Sequence, residues 1–213
     1  IGTIKKFKGD VFNLTYKQEN LKTPQTYVQR RTFQFSGKTF TLPDNLRIFV
    51  DSISTNNPQV LGRGGHGIAF KAYDETNKKN IIIKMDLKTP KFVNDQTVLN
   101  KIETDFESDD IEVNKALKEI DDQNLDAKIE KLTVEGSEVP VVIKDLVDGP
   151  TFKKTLEDGS FFGEQDGKKM QEGIKKLLND LSEKKLVVAD LNPGNIIWSE
   201  EKWKIIDSKM PRE

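Results

Sequence analysis

A glycine cluster between two strand-like segments constrains the fold more than any other feature of the sequence. The run Gly62-Arg63-Gly64-Gly65-His66-Gly67 fits the pattern G-x-G-x-x-G. A Rossmann-type nucleotide turn requires a helix directly after the glycines. Residues 68–73 are β-like instead, so the sequence predicts a glycine-rich hairpin whose backbone amides can approach phosphate oxygens without a Cβ in the way. A flexible turn without a ligand is the alternative.

Composition narrows the class of protein. A length of 213 residues, with 35% hydrophobic and 32% charged residues, permits one large domain or two small lobes around a cleft. The 34 basic and 35 acidic residues nearly balance, so no general attraction to nucleic acid is expected. The lack of cysteine excludes disulfides, thiolate metal sites and a cysteine nucleophile. The apolar runs are strand-sized and fall short of the roughly 18 residues of a membrane span.

Apolar periodicity predicts the order of the secondary structure elements. The predicted strands cover residues 32–35, 39–42, 60–61, 68–73, 80–85, 128–135, 139–147, 196–198 and 203–206. Helices are predicted over residues 168–183 and, with an acidic break at residues 107–110, over residues 95–121. Residues 46–53 are also predicted to form a short helix.

A lysine ends one of the predicted strands. In Ile81-Ile82-Ile83-Lys84 the lysine follows Gly67 by 17 positions. A lysine at this place would meet phosphate groups held under the glycine hairpin, whereas an ordinary lysine at a strand edge is the alternative.

The segment that follows the last predicted long helix carries the sharpest chemical signal. Asp190 and Asn195 have the spacing D-x-x-x-x-N, and Asp207 follows Asn195 by 12 positions at the end of a strand. Phosphoryl transfer requires an acceptor for the hydroxyl proton, oxygen ligands for Mg²⁺ and positive charge on the phosphates. Asp190 can supply the first, Asn195 and Asp207 the second, and Lys84 the third. Two turns capped by Asp and Asn are the alternative.

Three segments together resemble the protein-kinase-like superfamily. Residues 60–85 look like the glycine loop and strand lysine of the kinase amino-terminal lobe. The run Leu186-Val187-Val188-Ala189-Asp190-Leu191-Asn192-Pro193-Gly194-Asn195 resembles the H-R-D catalytic loop, and Ile206-Asp207-Ser208-Lys209 stands in the place of D-F-G. Residues 142–149 look like the strand and hinge beside the adenine pocket.

The resemblance assigns a role to each matching residue. It implies that Mg²⁺, with Mn²⁺ as an alternative, is bound by Asn195 and Asp207, while Asp190 and Lys84 are catalytic. The residues implied to bind ATP are Gly62, Gly64, Gly65, Gly67, Ala69, Lys84, Glu112, Asp145 and Leu146. Glu112 is the expected partner of Lys84, with Glu103, Glu107 and Glu119 as alternatives.

Departures from the kinase pattern point to an atypical member. Val188 and Ala189 replace the histidine and arginine of H-R-D, so activation by loop phosphorylation is not expected. Ser208 and Lys209 replace the phenylalanine and glycine of D-F-G. Six residues follow Asp207, so either the rest of a kinase carboxy-terminal lobe lies outside this sequence or the kinase is minimal. These features resemble minimal effector kinases that pathogenic bacteria inject into host cells.

The resemblance implies an α+β fold with two lobes and ATP between them. The expected units are a 1–58 extension that braces the fold or recruits a substrate, a 59–147 antiparallel-sheet lobe and a reduced, mostly helical 148–213 lobe. The expected activity is transfer of the γ-phosphate of ATP to a Ser/Thr hydroxyl of a host protein. A host activator is a further expected partner. The expected location is the host cytoplasm after bacterial secretion, or otherwise the cytoplasm. A small-molecule kinase of the aminoglycoside type and a pseudokinase interaction module are the alternatives.

Overall fold

The computed structural model describes residues 26–53, 56–120, 126–185 and 192–206. The strands are β1 Tyr27–Arg30, β2 Thr32–Phe35, β3 Lys38–Thr41, β4 Leu46–Asp51, β5 Val60–Arg63, β6 Gly67–Asp74, β7 Lys79–Asp86, β8 Ala127–Val134, β9 Ser137–Asp145, β10 Ile196–Ser199 and β11 Lys202–Ile205. The α-helices are α1 Gln96–Phe106, α2 Val113–Ile120, α3 Phe152–Glu157 and α4 Asp166–Glu183. A π-helical segment, Glu107–Glu112, joins α1 to α2 without a break.

One antiparallel sheet of nine strands dominates the structure. Its order is β1-β4-β6-β7-β9-β8-β3-β2, and β5 pairs with β6 beside this path. The β2 end of the path approaches the chain beyond β4, the second strand from the other end, since the backbone amide of Gln34 on β2 donates to the carbonyl of Asn56 at 3.0 Å. The sheet is therefore a nearly closed barrel.

The barrel is filled by side chains that alternate along its strands. Phe33, Phe40 and Phe70 are fully buried there. The Phe33 ring stacks on Phe40 at 5.2 Å between centroids and tilts against Phe70 at 5.4 Å. Strands β1 to β4 share this buried core with β6 to β9, since Leu46, Ile48, Phe70 and Ile83 belong to one cluster.

The long helical segment covers the outer face of the sheet. The Asp95 side chain accepts a hydrogen bond from the backbone amide of Val98 at 3.2 Å, which satisfies one of the free amides where α1 begins. Leu99, Ile102 and Phe106 then recur at helical spacing and pack on the sheet.

A smaller layer is formed by α3, α4 and the hairpin of β10 and β11. Met170, Ile196 and Trp203 form its buried cluster. The Trp203 indole donates a hydrogen bond to the Met170 carbonyl at 2.8 Å, which satisfies its polar atom inside the cluster. Trp198 packs on Trp203 with 5.0 Å between ring centroids.

The prediction of a two-lobed fold with a mostly helical second lobe is wrong. The described residues form mainly a nearly closed antiparallel sheet, and beyond β9 their helical part is limited to α3, α4 and two single 3₁₀ turns. The prediction failed because it extended local motifs to a whole architecture. Pairings between distant strands, such as Thr41 with Thr133, closed the sheet instead.

Several local predictions are confirmed, and two are wrong. The acidic break predicted at residues 107–110 is absent, because the π-helical segment continues the helix there. The hairpins β2–β3, β8–β9 and β10–β11 and the helix α4 lie where the periodicity places them. Residues 46–53 do not form a helix, because β4 occupies Leu46–Asp51 with Leu46, Ile48 and Val50 buried on one face. Alternation with period two is the pattern of a strand.

Gly173 on α4 is expected to be intolerant of a methyl group. A Cβ at this position would lie 2.9 Å from the Trp198 ring and 3.0 Å from the Trp203 ring. We therefore expect Gly173→Ala to lower the free energy of unfolding by about 1–3 kcal/mol, although alanine normally favours a helix. Urea denaturation measures the change, with Lys175→Ala on the exposed face of α4 as the control. An unchanged or raised stability in Gly173→Ala would contradict the tight packing of the two indoles.

Candidate functional site

The glycine cluster forms the turn between β5 and β6, as the sequence predicts. The backbone amide of Gly64 donates to the carbonyl of Gly67 at 2.9 Å and closes the turn. The amide of Leu87 donates to the carbonyl of His66 at 2.9 Å, which ties the turn to the chain after β7. The turn is thus held in place over the end of the β6–β7 pair.

The packing of the described residues gives these glycines no clear structural reason. Positive φ angles occur at Gly37, Gly136, Gly149 and Gly159 and not in this turn. A Cβ at Gly62 or Gly65 would meet no described atom within 4 Å. Glycine costs backbone entropy wherever it is not needed. The backbone at Gly62 and Gly65 therefore faces open space among the described residues.

Lys84 lies beside Gly67, the last glycine of this turn. It pairs on β7 with Ala69 on β6, and its Cε would be 3.4 Å from a Cβ at Gly67. Its ammonium group lies 3.1 Å from Oδ1 and 3.4 Å from Oδ2 of Asp110. The lysine predicted from the sequence therefore lies next to the glycine turn and is oriented by a carboxylate.

Asp110 belongs to the π-helical segment between α1 and α2, and its side chain is only 1% exposed. Its Oδ1 also lies 2.5 Å from the ammonium group of Lys144 on β9. Burial raises the pKa of the Asp110 carboxyl, but Lys144 and Lys84 outweigh burial and hold that pKa below its usual value. Asp110 is therefore an ionised carboxylate shared by two lysines.

The acidic partner of Lys84 in the structure is not the one predicted from the sequence. The expected partner, Glu112, is exposed, and its carboxylate lies 3.4 Å from the ammonium group of Lys115. The π-helical turn brings Asp110, two residues earlier, to the sheet face that carries Lys84. Glu103, one of the alternatives, pairs with Lys131 on β8 at 2.9 Å.

The residues expected to border the adenine lie where β9 ends. The Asp145 carboxylate lies 2.6 Å from the ammonium group of Lys79 on β7. The hydrogen bond to Asp145 raises the pKa of Lys79. Leu146 follows the strand and is half-buried. The Asp145 side chain thus serves an ion pair between β7 and β9.

The predicted catalytic segment is described only in part. Asp190 and Asp207 lie outside the described residues. Asn195 ends the 3₁₀ turn Pro193–Asn195, and its backbone carbonyl accepts a hydrogen bond from the amide of Ile206 at 2.9 Å. This bond fixes Asn195 beside the residue that precedes Asp207 in the sequence.

A small cleft lies next to Asp110. Lys144, Ile205 and Ile206 are among the other residues that line it. Ile205 packs with Val113 of α2 in a buried cluster, which holds the hairpin against the helix. The cleft therefore brings the partner of Lys84 close to the sequence neighbour of Asp207.

Sequence reasoning missed Asp110 and Lys144. The usable signal for Asp110 was its place in an apolar stripe, four residues after Phe106 and three before Val113, both of which are buried. A carboxylate on such a face needs a cation, and β7 and β9 supply two. Lys144 likewise follows the buried run 139–143.

Comparisons with known proteins give no family for this chain. No protein-family model matches it, and no curated protein matches it. Within the described ranges, none of the helices is both long and apolar enough to cross a membrane. Among the described residues, which do not include Asp190 and Asp207, no group of three or more His, Asp or Glu side chains is arranged to hold a metal ion.

Proposed function

We propose that the chain is an ATP-dependent phosphotransferase that binds the phosphates of ATP between the β5–β6 glycine turn and Lys84. The observation that carries the proposal is the placement of Lys84 beside Gly67, the last glycine of the turn, and beside the buried carboxylate of Asp110. Loops of backbone amides and a lysine ammonium group are a recurrent means of binding phosphate.

The proposed reaction assigns one task to each group. Asp190 accepts the proton of the acceptor hydroxyl while the hydroxyl oxygen bonds to the γ-phosphorus. The bond between the γ-phosphorus and the oxygen that bridges it to the β-phosphate breaks, and ADP leaves. Lys84 offsets the charge of the phosphates, and Asp110 orients Lys84. Asn195 and Asp207 have the oxygen donors that Mg²⁺ prefers, and the ion neutralises phosphate charge when bound.

The acceptor class in the proposal is a Ser/Thr hydroxyl of a protein, and the proposed setting is a host cell that receives a bacterial effector. Both follow from the sequence resemblance of the segments 186–195 and 206–209, together with their departures from the usual kinase pattern. An acceptor of small molecular weight is the competing class, because the D-x-N-P-G-N form also occurs in small-molecule kinases.

The test of the proposed function is transfer from γ-labelled ATP with Mg²⁺ by the purified chain, alone, with eukaryotic cell lysate, and with an aminoglycoside. We expect label in a protein band that is absent when Lys84→Met replaces the wild-type chain. Label on the aminoglycoside alone would replace the protein acceptor with a small molecule. A wild-type chain that neither binds Mg-ATP nor transfers label would overturn the proposal.

The variant Gly65→Ala tests phosphate binding independently of the stability of the fold. Its Cβ would project into open space among the described atoms, so the free energy of unfolding should stay nearly constant. The same methyl group would obstruct phosphate, and we expect the Kd for Mg-ATP to rise about tenfold, the equivalent of one hydrogen bond to a charged group. Calorimetry measures the binding, and Thr76→Ala in the β6–β7 turn is the control. Equal affinity in Gly65→Ala and wild type would place the phosphates elsewhere.

A further inference from the structure

Lys144 lies on the same face of the sheet as Lys84. It is paired with Ile82 on β7, and Ile82 and Lys84 point to one face because they are two residues apart on a strand. Both lysine side chains therefore leave the sheet toward the π-helical segment. Lys144 is more enclosed than Lys84, with side chains 12% and 23% exposed.

The two lysines share one oxygen atom of the buried carboxylate. Oδ1 of Asp110 lies 2.5 Å from the ammonium group of Lys144 and 3.1 Å from that of Lys84. A buried carboxylate is costly unless its charge is compensated by close partners. The shorter contact belongs to Lys144, so Lys144 does most to fix where this carboxylate stands.

The surroundings of Asp110 leave these two lysines as its closest cations among the described residues. From β8, Lys131 faces the helix but pairs with Glu103 at 2.9 Å. On its own segment, Asp109 lines the same cleft and carries like charge. Lys144 and Ile206 also line that cleft.

We propose that Lys144 is a positioning residue of the nucleotide site, whose ammonium group holds the Asp110 carboxylate where it orients Lys84. This role rests on the proposed phosphotransferase function. Without Lys144, the carboxylate loses its shorter contact, and Lys84 loses the fixed partner that holds it next to the glycine turn. Lys144 acts on ATP only through Asp110 and then Lys84, so Lys144 itself does not take part in the reaction.

The test compares Lys144→Met, which keeps the apolar stem, with Lys144→Arg, which keeps the charge. Lys131→Met is the matched control, because it removes another lysine of the sheet that pairs with a helix carboxylate, here Glu103 of α1. The readouts are the Kd of Mg-ATP, the transfer rate and the pKa of the Asp110 carboxyl from NMR titration. We expect Lys144→Met to raise that pKa and to weaken Mg-ATP binding about tenfold. Lys144→Arg and Lys131→Met should stay close to wild type in both the pKa of Asp110 and the Kd of Mg-ATP.

The outcomes separate this role from the function on which it rests. If wild type binds Mg-ATP and Lys144→Met binds it equally well, the positioning role is wrong while the phosphotransferase proposal stands. Equal losses in Lys144→Met and Lys144→Arg would also overturn the role, because the charge would then be irrelevant. If wild type itself binds no Mg-ATP, the proposed function fails, and this role fails with it.

Discussion

Asp110→Ala is expected to lower the free energy of unfolding by about 3 kcal/mol, because removal of one member of a buried ionic cluster leaves buried charge uncompensated. The carboxylate contacts Lys84 and Lys144, whose side chains are mostly enclosed between the sheet and the helix. Urea denaturation at neutral pH measures the loss. Asp105→Asn on α1 is the control, since its pair with Lys101 lies at the surface and should contribute less than about 1 kcal/mol.

A second substitution, Asp110→Asn, removes the charge with little change in shape and predicts a pH dependence with a definite sign. The pKa of Asp110 is lower in the folded chain than its ordinary value of 3.8. Its stabilising effect is therefore complete above about pH 4 and is lost as pH falls through the folded-state pKa. The stability difference between wild type and Asp110→Asn should shrink as the pH falls through the folded-state pKa. A difference that is constant from neutral to strongly acidic pH would show that the carboxylate charge is not what stabilises the cluster.

Asp190→Ala is expected to reduce the rate of phosphoryl transfer about a thousandfold, the usual size of a general-base contribution. Its affinity for Mg-ATP should remain near that of wild type, because the proposed phosphate contacts come from the glycine turn and Lys84. Transfer rates and calorimetric binding, measured on the same preparations, check both parts.

Glu157→Ala, at an exposed position of α3, is the control for the Asp190 variant. A wild-type rate in Asp190→Ala would remove the catalytic assignment. Loss of binding and of transfer together would instead make Asp190 part of the nucleotide site.

The strands were predictable because their signals are local. Phe33, Phe40 and Phe70 each stand in alternating segments bounded by turn residues, and each is buried as alternation requires. Leu46, Ile48 and Val50 show the same alternation, and the prediction of a helix at these residues did not take it into account. The closure of the sheet was not predictable from such patterns, because the pairing of Thr41 with Thr133 joins residues far apart in the sequence.

The candidate site was predictable where chemistry and spacing coincide. Lys84 stands out because a lysine ends an isoleucine run shortly after a glycine cluster. Its partner was missed because the search considered glutamates on a regular helix, whereas a π-helical segment changes the phase of the helix and turns Asp110 toward the sheet. Lys144 carries no motif, and only the pairing of β9 with β7 reveals its position.

A structure of the chain bound to Mg²⁺ and a non-hydrolysable ATP analogue would show where the phosphates bind. We expect phosphate oxygens within hydrogen-bond distance, about 3 Å, of the Lys84 ammonium group and close to the amides of the turn that contains Gly65. We also expect the metal ion beside Asn195. A nucleotide bound on another surface, with the glycine turn and Lys84 untouched, would contradict this placement of the phosphates.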